Sequence, residues 1–296
     1  MADFYVDQAA GLRRLFGGGQ LQVVAFAAGS EGLGRSAVVA NLATALSRLG
    51  KEVLLIDENA GSDDIAAQYG LRIGSDLDDV LTGRLALPDV MIEVAPGLHV
   101  LAAARCSRRF GQLTLREQAT LTEAVQTLER PIDVILIDAC VRHPLGFSPL
   151  ALAAHETVVV LSGNSASITE AYSLIKKGSQ SFARRSFRIL INRVKNLPDA
   201  RSIFENIAEV SAQRKLAKLD YAGAVPLDDA MRQAARVVQP VVVACPDSQS
   251  AAALREIAAD MLRWRQAPAD SGGVKQFFQQ LLHLSQRMTP CVLKTG

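Results

Sequence analysis

Apolar residues in this chain follow two alternating patterns. Short uninterrupted runs, LQVVAFA (21–27), EVLLID (52–57), VILID (134–138), TVVVLS (157–162) and RILIN (188–192), have the length and β-branched content of buried strands. Between and after them, 36–50, 114–129, 167–180 and 199–217 place apolar residues at helical spacing. The first of these, SAVVANLATALSRLG, closes on Gly50, a helix-stop residue. Apolar strands alternating with amphipathic helices predict a mostly parallel sheet with helices on both faces, because only a sheet covered twice buries such runs. Ligands in such sheets sit at the carboxyl ends of the strands, where residues 29–36, Asp57 and Asp138 are expected to meet.

Two segments fall outside that alternation. Residues 3–16 carry Ala9, Leu12 and Phe16 at helical spacing and are cut off by three glycines at 17–19. Residues 266–273 read as a linker. The helix predicted over 274–288 has a broad apolar stripe of Val274, Phe277, Phe278, Leu281, Leu282 and Leu284. The chain therefore divides into an N-terminal helix and glycine linker (1–19), a main domain (20–265), and a linker with an amphipathic helix (266–296).

Composition narrows the class without naming a function. With 49% hydrophobic and 21% charged residues, the chain reads as an ordinary globular protein. No apolar run approaches the ~18–20 residues of a spanning helix. A net charge of +2 gives no global field toward nucleic acid or anionic lipid. Cys106, Cys140, Cys245 and Cys291 are far apart and form no C-x-x-C pair; with no signal peptide, reduced thiols in a cytoplasmic protein are expected. His99, His143, His155 and His283 lack metal-ligand spacing and read as surface or loop residues, and Arg105, Arg108 and Arg109 as a solvated basic face.

The chemistry concentrates in AAGSEGLGRSAVVANLATAL (27–46), which contains the frame G-x-x-x-x-G-[basic]-[Ser/Thr] from Gly29 to Ser36. A nucleotide site needs backbone N–H groups around the phosphates, a cation, a hydroxyl and a carboxylate for Mg²⁺, and a polar group to place water. Gly29, Gly32 and Gly34 permit the tight loop, and Ser36 is the natural metal ligand at the helix start. Asp57 and Asp138 end apolar strands as metal-shell carboxylates do. The usual lysine is Arg35, so the frame alone fits a hydrolase, a switch with little catalysis, or an incidental βα turn.

The order of these parts resembles the MinD/ParA class of P-loop ATPases, and within it the FlhG/FleN regulators of flagellar number. Asp7-Gln8-Ala9 followed by Leu12-Arg13 matches their D-Q-A-x-x-L-R start. SASITEAYSLIKK (165–177) is similar to their A-Y segment, RILINRVKN (188–196) to their N-R-V strand end, and 219–254 to their closing region. The resemblance implies an ATP or ADP site built from Gly29, Ser30, Gly32, Leu33, Gly34, Arg35, Ser36 and Ala37, with Asn192 on adenine and Pro226 and Leu227 near the ring. It implies Mg²⁺ on Ser36, Asp57 and Asp138.

The departures are as informative. The family's first loop lysine aligns with Ser30, the next glycine with Glu31, and the second lysine with Arg35. Its D-x-D reads Asp57-Glu58-Asn59, so Arg35 and Asn59 stand at the catalytic positions. Fewer cations and one more anion weaken phosphate binding, and an amide cannot accept a proton from water. The expectation is a switch or adaptor with weakened or lost ATP hydrolysis. The alternatives are an active ATPase in which Arg35 with Glu58 or Asp63 has taken over the missing roles, and, more distantly, a partitioning ATPase.

Resemblance also implies partners. An FlhF-type GTPase would bind the N-terminal helix through Asp7, Gln8, Ala9, Leu12 and Arg13. A flagellar transcription activator and a homodimer are further expected partners, and direct nucleic-acid binding is not expected. The C-terminal helix is expected either in a membrane interface at the cell pole or folded back on a groove of the dimer.

Overall fold

Every apolar run read as a strand forms one: β1 (Gln22–Ala28), β2 (Val53–Asp57), β5 (Val134–Asp138), β6 (Glu156–Ser162) and β7 (Ser186–Val194). The computed structural model describes residues 21–59, 65–128, 130–141, 143, 146–264 and 273–288. The expected N-terminal helix and Asp63 lie outside the described residues. Three further strands, β3 (Met91–Ala95), β4 (Leu98–Ala102) and β8 (Lys218–Pro226), complete one eight-stranded sheet in the order β3-β4-β2-β5-β1-β6-β7-β8. Neighbours run parallel except β3 and β4, an antiparallel hairpin at one edge.

The helices that frame the core and the site are, in chain order, α1 (Arg35–Arg48), α2 (Leu115–Gln126), α3 (Pro149–Ala153), α4 (Ser165–Phe182), α5 (Leu197–Gln213), α6 (Gln249–Met261) and α7 (Gly273–Met288). Alternate side chains of each strand face opposite sides of the sheet. Val24, Phe26, Leu55, Leu136 and Val160 pack under α1 and α6. Ala25, Ile56, Ile137, Val159 and Ile191 join a second core with residues of α2 to α5 and α7. The expected sheet with helices on both faces is the observed one.

Helix starts follow side-chain chemistry. Thr114 and Glu117 form a reciprocal capping box on α2, and Asn164 and Asn196 cap α4 and α5. α1 differs: its cap is Gly34, in the left-handed region at φ 75°, with no side-chain acceptor.

The stripe of α7 meets the chain's own core. Phe277, Phe278 and Leu281 are buried and pack on α2, the turn at 110–112 and α3, and Gln286 donates to Gln118 at 2.8 Å. No described helix is long and apolar enough to cross a membrane.

Two surface expectations are corrected. His99 is a buried strand residue, 7% exposed, with the Arg130 guanidinium against its Nε2. Arg105 and Arg109 keep an exposed face but are neutralised by ion pairs: Arg105 pairs with Asp79, and Arg109 bridges Asp78 and Glu117. Arg108 is exposed, as expected. The acids Asp78 and Asp79 of the neighbouring turn hold the other two in ion pairs.

Candidate phosphate loop and strand-end carboxylates

Parallel register brings the central strands to a common end. Asp138 of β5 lies opposite both Phe26 of β1 and Asp57 of β2. From β1 the chain turns through residues 29–34 into α1, placing that helix's start beside both aspartates. The first N–H groups of α1 have no side-chain cap, so they and the helix dipole form an anion-attracting end.

Glycine is required where the loop is clamped. A Cβ on Gly29 would come within 2.6 Å of the Glu170 backbone, and one on Gly34 within 2.8 Å of Asn192 Nδ2. Asn192 Nδ2 donates to the Leu33 carbonyl at 2.8 Å, and Arg193 Nη1 donates to the Gly32 carbonyl at 2.9 Å. Leu33 is buried, Ser30 and Ala37 are half-buried, and Glu31 is exposed. Asn192, read as an adenine contact, thus braces the loop; Pro226 ends β8 half-buried, and Leu227 beyond it is exposed.

The carboxylates are already engaged by the protein. Arg35, 6% exposed, donates from Nε to Asp138 Oδ1. Ser36 Oγ donates to Asp138 Oδ2 at 2.6 Å. Asn59 Nδ2 lies 3.0 Å from Asp57 Oδ1, from the Asp138 carbonyl and from Asp138 Oδ2. The Asn59 and Ile65 backbone N–H groups complete Asp57 at 2.9 and 2.7 Å.

Next to them, just past the end of β2, Glu58 is 2% exposed; it accepts from the Cys140 N–H at 3.0 Å and from the Ser148 hydroxyl. Burial pushes the Glu58 carboxyl up to about 7, against the pull of those donors and of Arg35. Burial also raises Asp57, with the charge of Asp138 adding to it. Arg35 Nη1 and Glu58 Oε1 are buried without a partner.

Mg²⁺ demands near-octahedral oxygen ligands at ~2.0–2.1 Å. Every carboxylate oxygen of Asp57 and Asp138 instead accepts from a protein donor, one of them a guanidinium. As arranged, Ser36, Asp57 and Asp138 do not fit that ion.

The structure brings Arg35, Ser36, Asp57, Asn59 and Asp138 together as the sequence implied, while Asp7, Gln8, Ala9, Leu12 and Arg13 lie outside the described residues. Sequence reasoning missed the bracing by Arg193 and the close approach of the Glu170 backbone to Gly29. The N-R-V segment contained the first; nothing local signalled the second. It also missed a cleft of ≈200 Å³ on the β4 side of Asp57, lined by Asn59, Ile73, Asp76, Val100 and Arg105 among others.

A parallel sheet whose central strand runs through a glycine loop into an uncapped helix, beside strand-end aspartates, defines the P-loop nucleotide-binding class. The family model described as the CobQ/CobB/MinD/ParA nucleotide binding domain matches residues 24–241, and the chain belongs to that family. The FlhG/FleN resemblance read from the motifs holds. The chain is 29% identical over 262 residues to the antiactivator FleN of Pseudomonas aeruginosa, covering 88% of this chain and 93% of FleN. It is 22% identical to the flagellum site-determining protein YlxH of Helicobacter pylori, over 89% of this chain and 90% of YlxH. Among solved structures, the septum site-determining protein MinD of Pyrococcus horikoshii, complexed with Mg-ADP, shares the fold. Its TM-score is 0.59 at 19% identity, over 81% of this chain and 95% of MinD.

Proposed function

We propose that this protein regulates flagellar number and placement as a nucleotide-binding switch or adaptor with weakened ATP hydrolysis. The observation that carries the weakening is the direction of Arg35. Its guanidinium lies in the carboxylate cluster, so a phosphate would compete with Asp138 for it. The flagellar assignment draws on the likeness to FleN and YlxH over nearly the whole chain.

In this reading the phosphates lie on the N–H groups of residues 29–37, and the base lies near Asn192 and Pro226. The N-terminal helix recruits an FlhF-type GTPase, and a flagellar transcription activator and a second copy are the other partners. Membrane contact at the pole requires α7 to leave its seat, because its apolar stripe is already covered. The active-ATPase alternative needs a carboxylate that reaches an attacking water; Glu58 is instead held by Cys140 and Ser148 just beyond the end of β2, and Asp63 lies outside the described residues.

Calorimetric titration with ADP and ATP, run beside a turnover assay, tests the reading. Binding is expected, with turnover at least about tenfold below that of FleN, the loss of about 1.4 kcal/mol of transition-state stabilisation. Turnover equal to FleN and abolished by Arg35→Ala would refute it. Separately, deleting residues 1–16 is expected to abolish capture of the GTPase; unchanged capture would remove that partner.

A further inference from the structure

We infer that the Arg35 guanidinium is the resident cation of the strand-end cluster, and that the chain holds its anionic ligand without a divalent metal. The ligand half rests on the nucleotide reading above; the cation half stands on geometry alone.

Asp57, Glu58 and Asp138 converge at exposures of 2%, 2% and 0%. Carboxylates that deep and that close need a cation or donors among them. Arg35 is the guanidinium that enters the cluster, and its exposure of 6% shows that it is embedded rather than resting on the surface.

Asn59 completes the exclusion. Its amide is neutral and donates toward both aspartates, where an aspartate would add a further negative charge and offer oxygens to an ion. Together Arg35, Ser36, Asn59 and Ile65 give each of the four carboxylate oxygens of Asp57 and Asp138 at least one protein donor. A divalent ion would have to displace these donors and then lie against a fixed positive charge in a site of low dielectric. The two substitutions act in the same direction: one supplies a cation and the other a donor.

The guanidinium also keeps a use for a ligand. Arg35 Nη1 is a buried donor with no hydrogen-bond partner, on the first residue of a helix whose N-terminus has no side-chain cap. A phosphate oxygen accepting from that group and from the loop N–H groups would be neutralised by protein donors alone.

Mn²⁺ is the probe, read by the loss of its free electron-paramagnetic signal on the full chain. Wild type is expected to take up no Mn²⁺ that Asp138→Asn removes. The double variant Arg35→Gln with Asn59→Asp is expected to take up Mn²⁺ at least about tenfold more tightly than wild type, because octahedral oxygen ligands become available. Asp138-dependent uptake by wild type, or no uptake by a folded double variant, overturns the cation half.

A second measurement needs no variant. The ADP dissociation constant of wild type is expected to differ by less than about threefold between EDTA and Mg²⁺, and tightening beyond that with Mg²⁺ overturns the metal-free binding. If ADP binds in neither buffer while the Mn²⁺ results are as expected, the nucleotide reading fails and the resident cation stands.

Discussion

His99 gives the protein a definite pH response. Burial, and then the neighbouring Arg130 charge, lower its pKa below 6.5, with Glu93 pulling the other way. The native state therefore binds this proton less readily than the unfolded chain does. As pH falls through about 6.5 the unfolded state takes up more protons, so stability contributed by neutral His99 is present above that pH and lost below it. Urea unfolding of His99→Gln between pH 8 and pH 5 is expected to show a shallower decline than wild type; equal slopes would exclude His99 as a source. The same residue shows what the sequence left hidden. A lone histidine has no spacing signal, and its partner Arg130 lies 31 positions away in the chain. The site frame was legible for the opposite reason. Ser36 follows a glycine turn, and Asp57 and Asp138 end strands whose parallel register aligns them. The direction of Arg35 was not, because a long side chain takes its rotamer from surrounding charges that only the fold assembles.

Packing at the level of elements explains which segments the apolar pattern revealed. Central strands β1, β2, β5 and β6 are buried at every position, so their runs are continuous. Strands β3 and β8 lie at the sheet edges with partly exposed faces, and β4 is interrupted by His99, so none announced itself as an apolar run. Helix α4 offers a test in which two element-level effects oppose each other. Alanine at Gly178 would gain about 1 kcal/mol of helix propensity. Its Cβ, however, would lie 2.7 Å from the Phe187 ring and 3.0 Å from that of Phe147, both buried. Overpacking of this kind costs about 1–3 kcal/mol, so Gly178→Ala is expected to lower the unfolding midpoint. A raised midpoint would show that the rings yield. In α7, Leu281→Ala removes a fully buried side chain and is expected to destabilise the helix seat by about 2–5 kcal/mol. The periodicity showed that α7 has an apolar face, but not what covers it, because a stripe fits a membrane and a protein groove equally well.

The whole molecule joins that seat to the carboxylate cluster through one short helix. Ser148 caps α3 by accepting the Ala151 N–H at 3.0 Å, and its hydroxyl also donates to Glu58, the residue after Asp57. α3 in turn packs against α7. A displacement of Glu58 would therefore loosen the cap of the element on which the C-terminal helix rests. The helix could answer the state of the site without touching it, provided these contacts open together. Ser148→Ala tests the connection, since it removes the cap and the donor to Glu58 while leaving the apolar surface of α3 intact. Loss of a cap costs about 1 kcal/mol, so amides of α7 are expected to exchange with solvent roughly fivefold faster. Amides of α6, on the other face of the sheet, should keep their protection. Faster exchange in both helices would indicate general destabilisation, and unchanged exchange in α7 would show that its seat is independent of Ser148. Only selective loosening of α7 supports transmission from the strand ends to the C-terminal helix, because α3 touches both.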